Sequence, residues 1–294
     1  MPPAVDPLQT IQIETTAACN AACRFCPHPD MTRKGRMSEA LFHSIIEQGL
    51  AMGVTHYYPF LLNEPLAEVR LPQWMDWLNS QGGCFSLFTN AELLTPEKSQ
   101  WLLACPNLHA LWISFYGATK ETYEHAMQGL SFDVSEANVR YVIAVHEARI
   151  LAGQRSAHHL YVRMSVYEDT AGEEQAFRDK WGRYAAITGH VNWAGARPSV
   201  YARLDLPQWP CLRIMDQLYI NVLGQAVLCC LDAHSEVILG DVTKEPLADV
   251  WRRAQGFRDA HKRYDFDHHL CRTCSLNRSQ HDPWNGKYPR PVGA

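Results

Sequence analysis

Three cysteines that follow the first predicted strand most constrain what this chain can fold into. Cys19, Cys23 and Cys26 have the spacing C-x-x-x-C-x-x-C, just after a β-rich run at residues 11–15. Three thiolates cannot supply all four ligands of an ordinary [4Fe-4S] cluster, so one iron would bind a non-protein ligand. An open metal position is typical of catalytic sites. The spacing therefore predicts a catalytic metal centre, with a zinc knuckle or buried thiols as alternatives.

The composition agrees with metal chemistry in a reducing compartment. Ten cysteines occur among 294 residues, and residues 1–12 have no signal-like pattern, so we expect a cytoplasmic protein whose thiols bind metal or act in catalysis. A hydrophobic content of 47% excludes disorder as the main state. The net charge of -4 gives no argument for nucleic acid or membrane as a partner.

Short β-rich runs alternate with longer helical patterns over residues 1–200, which indicates an α/β fold with a parallel sheet. We predict a partial (β/α)6 TIM-like barrel. The helix predicted over 134–151 has Asp133 and Glu136 placed as a capping box, and another helix is predicted over about 38–52. The predicted strands are 11–15, 56–62, 85–89, 110–115, 160–166 and 190–193.

The pattern changes after residue 200, where Pro207 and Pro210 mark a linker. A β-hairpin is predicted from 218–222 and 225–231, with Gly224 at the turn, followed by one helix over 247–261. We therefore assign 201–281 to a small second domain. Prolines and glycines predict an irregular tail over 282–294.

The cysteine loop, with Phe25 just before its last cysteine, resembles the cluster loop of radical S-adenosylmethionine (radical SAM) enzymes. The resemblance implies that Cys19, Cys23 and Cys26 bind a [4Fe-4S] cluster whose fourth iron binds S-adenosylmethionine through its amino and carboxylate groups. It also implies cleavage of that cofactor to a 5'-deoxyadenosyl radical, which abstracts a hydrogen atom from a C–H bond.

Further segments resemble motifs of the same family. Leu62-Asn63-Glu64-Pro65 is similar to the G-G-E-P segment that receives the cofactor's ammonium group, although Glu64 could instead be a solvated turn acid. Arg163, within an apolar strand, would pair with the cofactor's carboxylate or with the substrate, unless it faces a solvent edge. The residues that the resemblance assigns to the cofactor are Phe25, Asn63, Glu64, Asn90, Ser114 and Arg163. At the fourth strand's end Tyr116 replaces the acid of the family's S-x-D-G turn.

A second group of cysteines lies in the small domain. Its hairpin, helix and C-x-x-C order resembles the auxiliary domain of the SPASM and twitch subclasses. The resemblance implies one auxiliary [4Fe-4S] cluster, closed by four thiolates and suited to electron transfer. Its predicted ligands are Cys211, Cys229, Cys271 and Cys274. Zinc is the alternative, since His268, His269 and His281 are near in sequence.

Cys230 is the remaining cysteine with a candidate function, because Cys84 and Cys105 are expected to be core thiols. On a strand, Cys230 would point away from Cys229, so it would not bind the same cluster. It would either donate a hydrogen atom to a substrate radical or be a packed thiol.

The resemblance implies an oxidoreductase. We expect it to dehydrogenate an alcohol of a small polar metabolite, of the sugar or aminocyclitol type used in antibiotic biosynthesis, with the auxiliary cluster accepting an electron. The alternatives are an epimerase that uses Cys230, a peptide maturase, and a zinc-stabilised interaction module. A strand starting near residue 10 leaves no room for an amino-terminal peptide-recognition domain. The expected partners are a small-molecule substrate and a reductant such as flavodoxin or ferredoxin. The basic run on the late helix (Arg252, Arg253, Arg258, Lys262, Arg263) is read as a solvated face.

Overall fold

One sheet of nine strands organises the chain. The computed structural model describes residues 5–283 and residue 287. In spatial order the strands are β6-β5-β4-β3-β2-β1-β7-β8-β9. Their bounds are Thr10–Ile13 for β1, His56–Tyr58 for β2, Cys84–Thr89 for β3, Leu108–Ser114 for β4, His159–Val166 for β5, Ala185–Gly189 for β6, Gln217–Ile220 for β7, Gln225–Val227 for β8 and Ile238–Asp241 for β9.

The first six strands are all parallel and alternate with helices, which confirms the predicted partial barrel. The barrel helices are α1 (Glu39–Ala51), α2 (Leu71–Ser80), α3 (Pro96–Ala104), α4 (Lys120–Ala126), α5 (Phe132–Leu151) and α6 (Glu174–Trp181). Four shorter helices follow, α7 (Leu212–Asp216), α8 (Leu247–Arg253), α9 (Gln255–Lys262) and α10 (His269–Arg272). None of the helices in the described part of the chain is long and apolar enough to cross a membrane.

The predicted capping box at the start of α5 is wrong. Ser131 is the N-cap, and its hydroxyl accepts the backbone N–H of Val134. The carboxylate of Asp133 instead binds Lys120 at 2.5 Å, and that of Glu136 binds Arg140 at 2.6 Å. Both acids serve side-chain ion pairs, which leaves the cap to the serine.

Two strand predictions need correction. β2 ends at Tyr58 rather than at residue 62, because Pro59 has no N–H to continue the ladder. The sixth strand is Ala185–Gly189, not 190–193. The backbone N–H of Asn192 donates to the Ser275 hydroxyl at 3.0 Å, and its side chain donates to the Thr273 carbonyl at 2.7 Å. Residues 190–193 therefore bind the carboxyl-terminal segment instead of the sheet.

The predicted hairpin is present as β7 and β8, but its second strand ends at Val227. Cys229 and Cys230 thus lie in a loop, and the strand argument for their opposite orientations does not apply. The carboxylate of Asp232 shapes this loop by accepting the backbone N–H groups of Glu236 and Val237. A third strand, β9, pairs with β8 and was not predicted.

The late helix is divided at Ala254 into α8 and α9. Arg258 is wrongly assigned to a solvated basic face, because its side chain is fully buried, with the guanidinium 3.7 Å from the centroid of the Trp251 ring. The others that form ion pairs bind nearby acids, Arg252 to Asp249, Arg253 to Glu245 and Lys262 to Asp6. The sequence pattern missed these partners because two of them lie outside the helix.

β1 lies between the two parts of the sheet, parallel to β2 on one side and to β7 on the other. Glu14, just after β1, is fully buried and forms a bidentate ion pair with Arg33 at 2.7 Å. Its carboxylate also accepts the backbone N–H of Val222 at 3.0 Å. The sheet is continuous between the parts of the chain before and after residue 200. The domain boundary predicted there stays a prediction. The predicted tail, 282–294, lies mostly outside the described residues.

Candidate functional site

A cavity of about 730 Å³ lies at the carboxyl ends of the barrel strands, which is where α/β barrels place their chemistry. It brings together every residue that the sequence assigned to the cofactor, the three cysteines of the first loop and Cys230. The lining includes Cys19, Cys23, Phe25, Cys26, Asn63, Glu64, Asn90, Ser114, Arg163 and Cys230. Separate stretches of sequence therefore converge on one site.

The cysteine loop is held by backbone hydrogen bonds. The N–H of Cys26 donates to the carbonyl of Cys23 at 3.0 Å, which makes the second half of the motif a tight turn. The N–H of Ala22 donates to Gln128 O at 2.7 Å and that of Arg24 to Ala126 O at 3.0 Å, which fixes the loop to the end of α4. The loop is thus positioned by the barrel before any ligand binds.

Burial raises the pKa of Cys19 to about 11 and that of Cys26 to about 12. Burial and the neighbouring thiols raise the pKa of Cys23 well above its ordinary value. These thiols ionise only when a cation is bound beside them, since a coordinating thiol is deprotonated by its metal. Three adjacent thiols that act on each other's ionisation fit the thiolate ligands of an iron–sulfur cluster.

Among residues 5–283, no three His, Cys, Asp or Glu side chains surround a point where one metal ion would bind. A [4Fe-4S] cluster needs no such point, because each thiolate binds a different iron. The spacing of the three cavity thiols is therefore compatible with a cluster.

Glu64 is buried at 2% exposure, so the solvated-turn interpretation is wrong. Its carboxylate accepts the Thr89 hydroxyl at 2.8 Å and the backbone N–H groups of Asn90 at 2.8 Å and Leu66 at 3.1 Å. Burial nonetheless raises its pKa to about 7, against the effect of these hydrogen bonds. A buried carboxylate at a cavity wall favours a cationic guest such as an ammonium group.

Two asparagines flank this carboxylate. The side chain of Asn90 donates to Asn20 at 2.8 Å. The oxygen of Asn63 accepts the Leu61 N–H at 2.9 Å, whereas its side-chain nitrogen is buried without a protein partner among the described residues. A buried orphan donor at a cavity wall fits a polar ligand.

Ser114, the last residue of β4, is the register partner of Arg163, which lies within β5. The Arg163 guanidinium donates to the Thr188 hydroxyl at 3.2 Å, and it lies 6.0 Å from the centroid of the Phe88 ring. Its side chain is on the cavity face, so the solvent-edge alternative is wrong. It has no carboxylate partner among the described ion pairs, which leaves it available to an anionic ligand.

Phe25 packs its ring against Tyr116 and Tyr167, at centroid distances of 4.3 and 5.2 Å. Gly117 follows Tyr116 with a φ of +147°, and a Cβ there would lie 2.5 Å from the backbone nitrogen of Tyr123. The turn after β4 therefore keeps its glycine although the acid of the family pattern is replaced by tyrosine.

The four predicted auxiliary ligands come together on the other side of β1 from most of the barrel. Burial, together with the neighbouring thiols, raises the pKa of Cys271 and of Cys274 to about 12. The same causes raise the pKa values of Cys211 and Cys229. Four thiols that act on one another, three of them buried and Cys229 partly buried, fit a closed cluster.

Sequence reasoning missed three residues of these sites. Arg213 lines the cavity on α7, and Arg197 donates to the Cys26 carbonyl at 3.0 Å. His261 accepts the backbone N–H of Cys211 at 3.1 Å and places its other ring nitrogen 3.3 Å from the Cys271 sulfur. The zinc alternative is based on His268, His269 and His281, which are nearer in sequence to the C-x-x-C pair than His261, ten residues before it. No periodic or spacing signal marks any of the three.

Comparisons with known proteins agree with this geometry. Residues 211–275 match the family model of SPASM, an iron–sulfur cluster-binding domain. No curated protein sequence matches the chain. The fold is similar to that of BtrN in complex with AdoMet and 2-DOIA, with a TM-score of 0.63 and 17% identity over 95% of this chain and 97% of BtrN. It is also similar to native anSMEcpe with bound AdoMet, with a TM-score of 0.66 and 13% identity over 93% of this chain and 92% of that one.

A further similar structure is Streptococcus suis SuiB bound to precursor peptide SuiA, with a TM-score of 0.65 and 13% identity over 95% of this chain and 73% of SuiB. This chain has the radical SAM fold with a SPASM domain. The predicted resemblance is confirmed, and the findings support the predicted cofactors, S-adenosylmethionine and two [4Fe-4S] clusters. The SPASM match also favours iron–sulfur over zinc at residues 211–275.

We predict that the two thiol groups load independently. The wild-type chain should bind about eight irons after anaerobic reconstitution, and Cys19→Ala/Cys23→Ala/Cys26→Ala should bind about four. Cys271→Ala/Cys274→Ala should also lose about four, from the other site. Iron and sulfide analysis with visible spectra measures this, and Cys84→Ala is the matched control. Full iron content in the triple variant would contradict the assignment of the cavity cluster.

Proposed function

We propose that this chain is a radical SAM enzyme that abstracts a hydrogen atom from a C–H bond of a small molecule and oxidises an alcohol to a ketone. One observation carries the proposal. Three clustered thiols, the buried Glu64 carboxylate and the Arg163 guanidinium line one cavity, so a metal centre, a cationic group and an anionic group can bind side by side. S-adenosylmethionine presents those last two groups on one carbon.

Different side chains of the cavity bind the cluster and the separate groups of the cofactor. Cys19, Cys23 and Cys26 hold the cavity cluster, and the Glu64 carboxylate receives the cofactor's ammonium group. The orphan nitrogen of Asn63 can only donate, so it binds an oxygen of the cofactor. Ser114 and Arg163 receive its carboxylate. When bound, these groups would supply a 5'-deoxyadenosyl radical that removes the hydrogen atom from the alcohol carbon. The hydroxyl proton would pass to solvent, and the auxiliary cluster would accept the second electron.

The cavity favours a small molecule. A volume of about 730 Å³ is in the range of ligand pockets, roughly 300–1,000 Å³. The described chain matches BtrN over nearly the full length of both, and the ligands named for that structure are AdoMet and 2-DOIA. SuiB and anSMEcpe are named with bound peptides, which supports a peptide maturase as an alternative. Reduction by a flavodoxin or ferredoxin in the cytoplasm completes the proposal.

Epimerisation is the second candidate. Cys230 lines the same cavity as the cluster cysteines, although it is next to the auxiliary ligand Cys229. A thiol facing the substrate space can return a hydrogen atom to a substrate radical, which would restore a C–H bond with inverted configuration and leave a thiyl radical. One electron from the reductant, by way of the auxiliary cluster, and one solvent proton would then restore the thiol. This observation favours the epimerase over a packed, inert thiol.

We predict that the reconstituted, dithionite-reduced protein cleaves S-adenosylmethionine to 5'-deoxyadenosine and methionine. Glu64→Gln should slow this cleavage about tenfold or more, because a charge-assisted hydrogen bond to the ammonium group is lost. Liquid chromatography with mass detection measures the product, and Glu39→Gln, at an exposed residue of α1 outside the cavity, is a matched control. Failure of the wild-type protein with two intact clusters would refute the proposed function.

Cys230→Ala separates the two reactions. A dehydrogenase should keep turnover to a ketone with this substitution, because its electron leaves through the auxiliary site. An epimerase should lose product while still forming 5'-deoxyadenosine, and its wild-type product should carry one solvent deuterium. Mass spectrometry of reactions in D2O provides the readout, with Cys84→Ala as the control. An inverted product from Cys230→Ala would rule out the thiol as donor.

A further inference from the structure

Arg213 is a cavity-lining guanidinium that the assignments above leave without a role. It lies on α7, two residues after the auxiliary ligand Cys211, and its neighbours include the Cys230 thiol and the hydroxyl of Tyr219. No carboxylate within the described part of the chain forms an ion pair with it, although Asp216 is on the same helix. A guanidinium that lacks a carboxylate partner and lines a cavity can bind an oxyanion.

The charges that line the cavity also favour an anionic ligand. Among the described residues that line it, Glu64 is the only acid, while Arg163 and Arg213 are both basic. Glu64 is committed to the cofactor's ammonium group, and Arg163 to its carboxylate. An aminocyclitol would therefore bring ammonium groups into a space that offers no free carboxylate. Of the two substrate types expected from the resemblance, sugar and aminocyclitol, the cavity disfavours the aminocyclitol and favours a ring that carries an acid.

Part of the remaining wall is aromatic. It consists of Tyr58, Phe60, Phe88 and Trp112, here called the aromatic wall, which lie in or just after β2, β3 and β4. Phe60 and Phe88 have ring centroids 5.1 Å apart, and Phe88 stacks on Trp112 at 5.5 Å with an interplanar angle of 8°. Such a surface binds the face of a ring, whether aromatic or pyranose.

We propose that the substrate is an oxyanion, a carboxylate or a phosphate ester, whose acidic group binds Arg213 while its ring stacks on the aromatic wall. This inference rests on the proposed function and names the substrate class of the same site. Arg213 would set specificity beside Cys230, at the junction of the barrel and the SPASM domain.

Three probes of similar size test the proposal on the reconstituted holoenzyme with S-adenosylmethionine. They are phenylacetate, phenyl phosphate and phenethylamine, titrated anaerobically with tryptophan fluorescence and melting temperature as readouts. At least one anion should bind about tenfold or more tightly than the amine, as expected for one charge-assisted hydrogen bond. The stronger anion identifies the carboxylate or the phosphate class.

Arg213→Gln should abolish this preference, and Arg213→Lys should retain part of it. Arg252→Gln is the control, since Arg252 is exposed and pairs only with Asp249 in the described structure. Tighter binding of the amine, or unchanged anion binding in Arg213→Gln, would overturn the proposal and leave Arg213 as a counter-charge for the auxiliary site. Formation of 5'-deoxyadenosine without any probe tests the proposed function separately.

A second, independent observation concerns His261, which is 2% exposed between two auxiliary ligands. The N–H of Cys211 can only donate, so Nδ1 of His261 accepts this bond and carries no proton. The ring proton is then on Nε2, 3.3 Å from the Cys271 sulfur. The Phe266 ring packs edge-on against the imidazole at 5.0 Å and holds its orientation.

We infer that His261 is a positioning residue that donates a hydrogen bond to the Cys271 thiolate and raises the reduction potential of the auxiliary site. A donor to the sulfur withdraws negative charge, which stabilises the reduced state. The residue would thereby favour electron acceptance from the substrate side.

An EPR-monitored redox titration of His261→Leu tests this inference. The reduction potential of the auxiliary site should become more negative by about 59 mV. For one electron, this shift corresponds to a tenfold change in the reduced-to-oxidised ratio. The cavity cluster should keep its potential and serves as the internal reference. His261→Gln, which retains a donor, should restore part of the shift, and the exposed His269→Leu should have no effect.

An unchanged auxiliary potential in a fully loaded His261→Leu protein would overturn the inference. If that variant does not load, ¹⁵N NMR of the oxidised wild-type holoenzyme decides instead. An Nε2–H tautomer at His261 supports the inference, and an Nδ1–H tautomer refutes it.

Discussion

The parallel pairing of β1 on both edges is the constraint on which the rest of the structure depends. β2 binds one edge of β1 and β7 binds the other, so a strand of only four residues joins the barrel to the SPASM domain. The cysteine loop leaves directly from its carboxyl end. The buried Glu14–Arg33 pair, with the N–H of Val222, fixes this exit. Barrel and SPASM domain therefore meet at the loop that carries the chemistry.

Burial gives the cavity its selectivity. The thiols and the Glu64 carboxylate are held in surroundings that raise their pKa values, so their ionised forms depend on cations beside them. Arg163 and Arg213 are cations, so they are stabilised by anionic groups beside them. A site of this kind binds ligands by the arrangement of charges more than by shape, because each unpaired group is costly in the absence of its partner.

Most of the barrel, and the position of Cys19, Cys23 and Cys26 at one cavity, could be predicted from sequence, since strand alternation and cysteine spacing are local patterns. Residues 190–193 could not, because Asn192 binds Ser275 across the fold rather than the neighbouring strand. Cys230 was assigned to a strand because its apolar run does not show where pairing ends. No local sequence pattern marks Arg213 or His261 as a site residue. Their roles depend on contacts between segments far apart in sequence, such as His261 with Cys211.

The continuous sheet also bears on how such a protein can be divided. A chain cut at the predicted boundary near residue 200 would leave β1 as an edge strand, with its N–H and C=O groups open to pairing with another molecule. The cut would also remove the hydrogen bond that Val222 gives to buried Glu14. The two parts differ in sequence pattern, but they share one sheet through the pairing of β1 with β7. Exchange of the SPASM domain between relatives therefore requires a β7 that matches the β1 it pairs with.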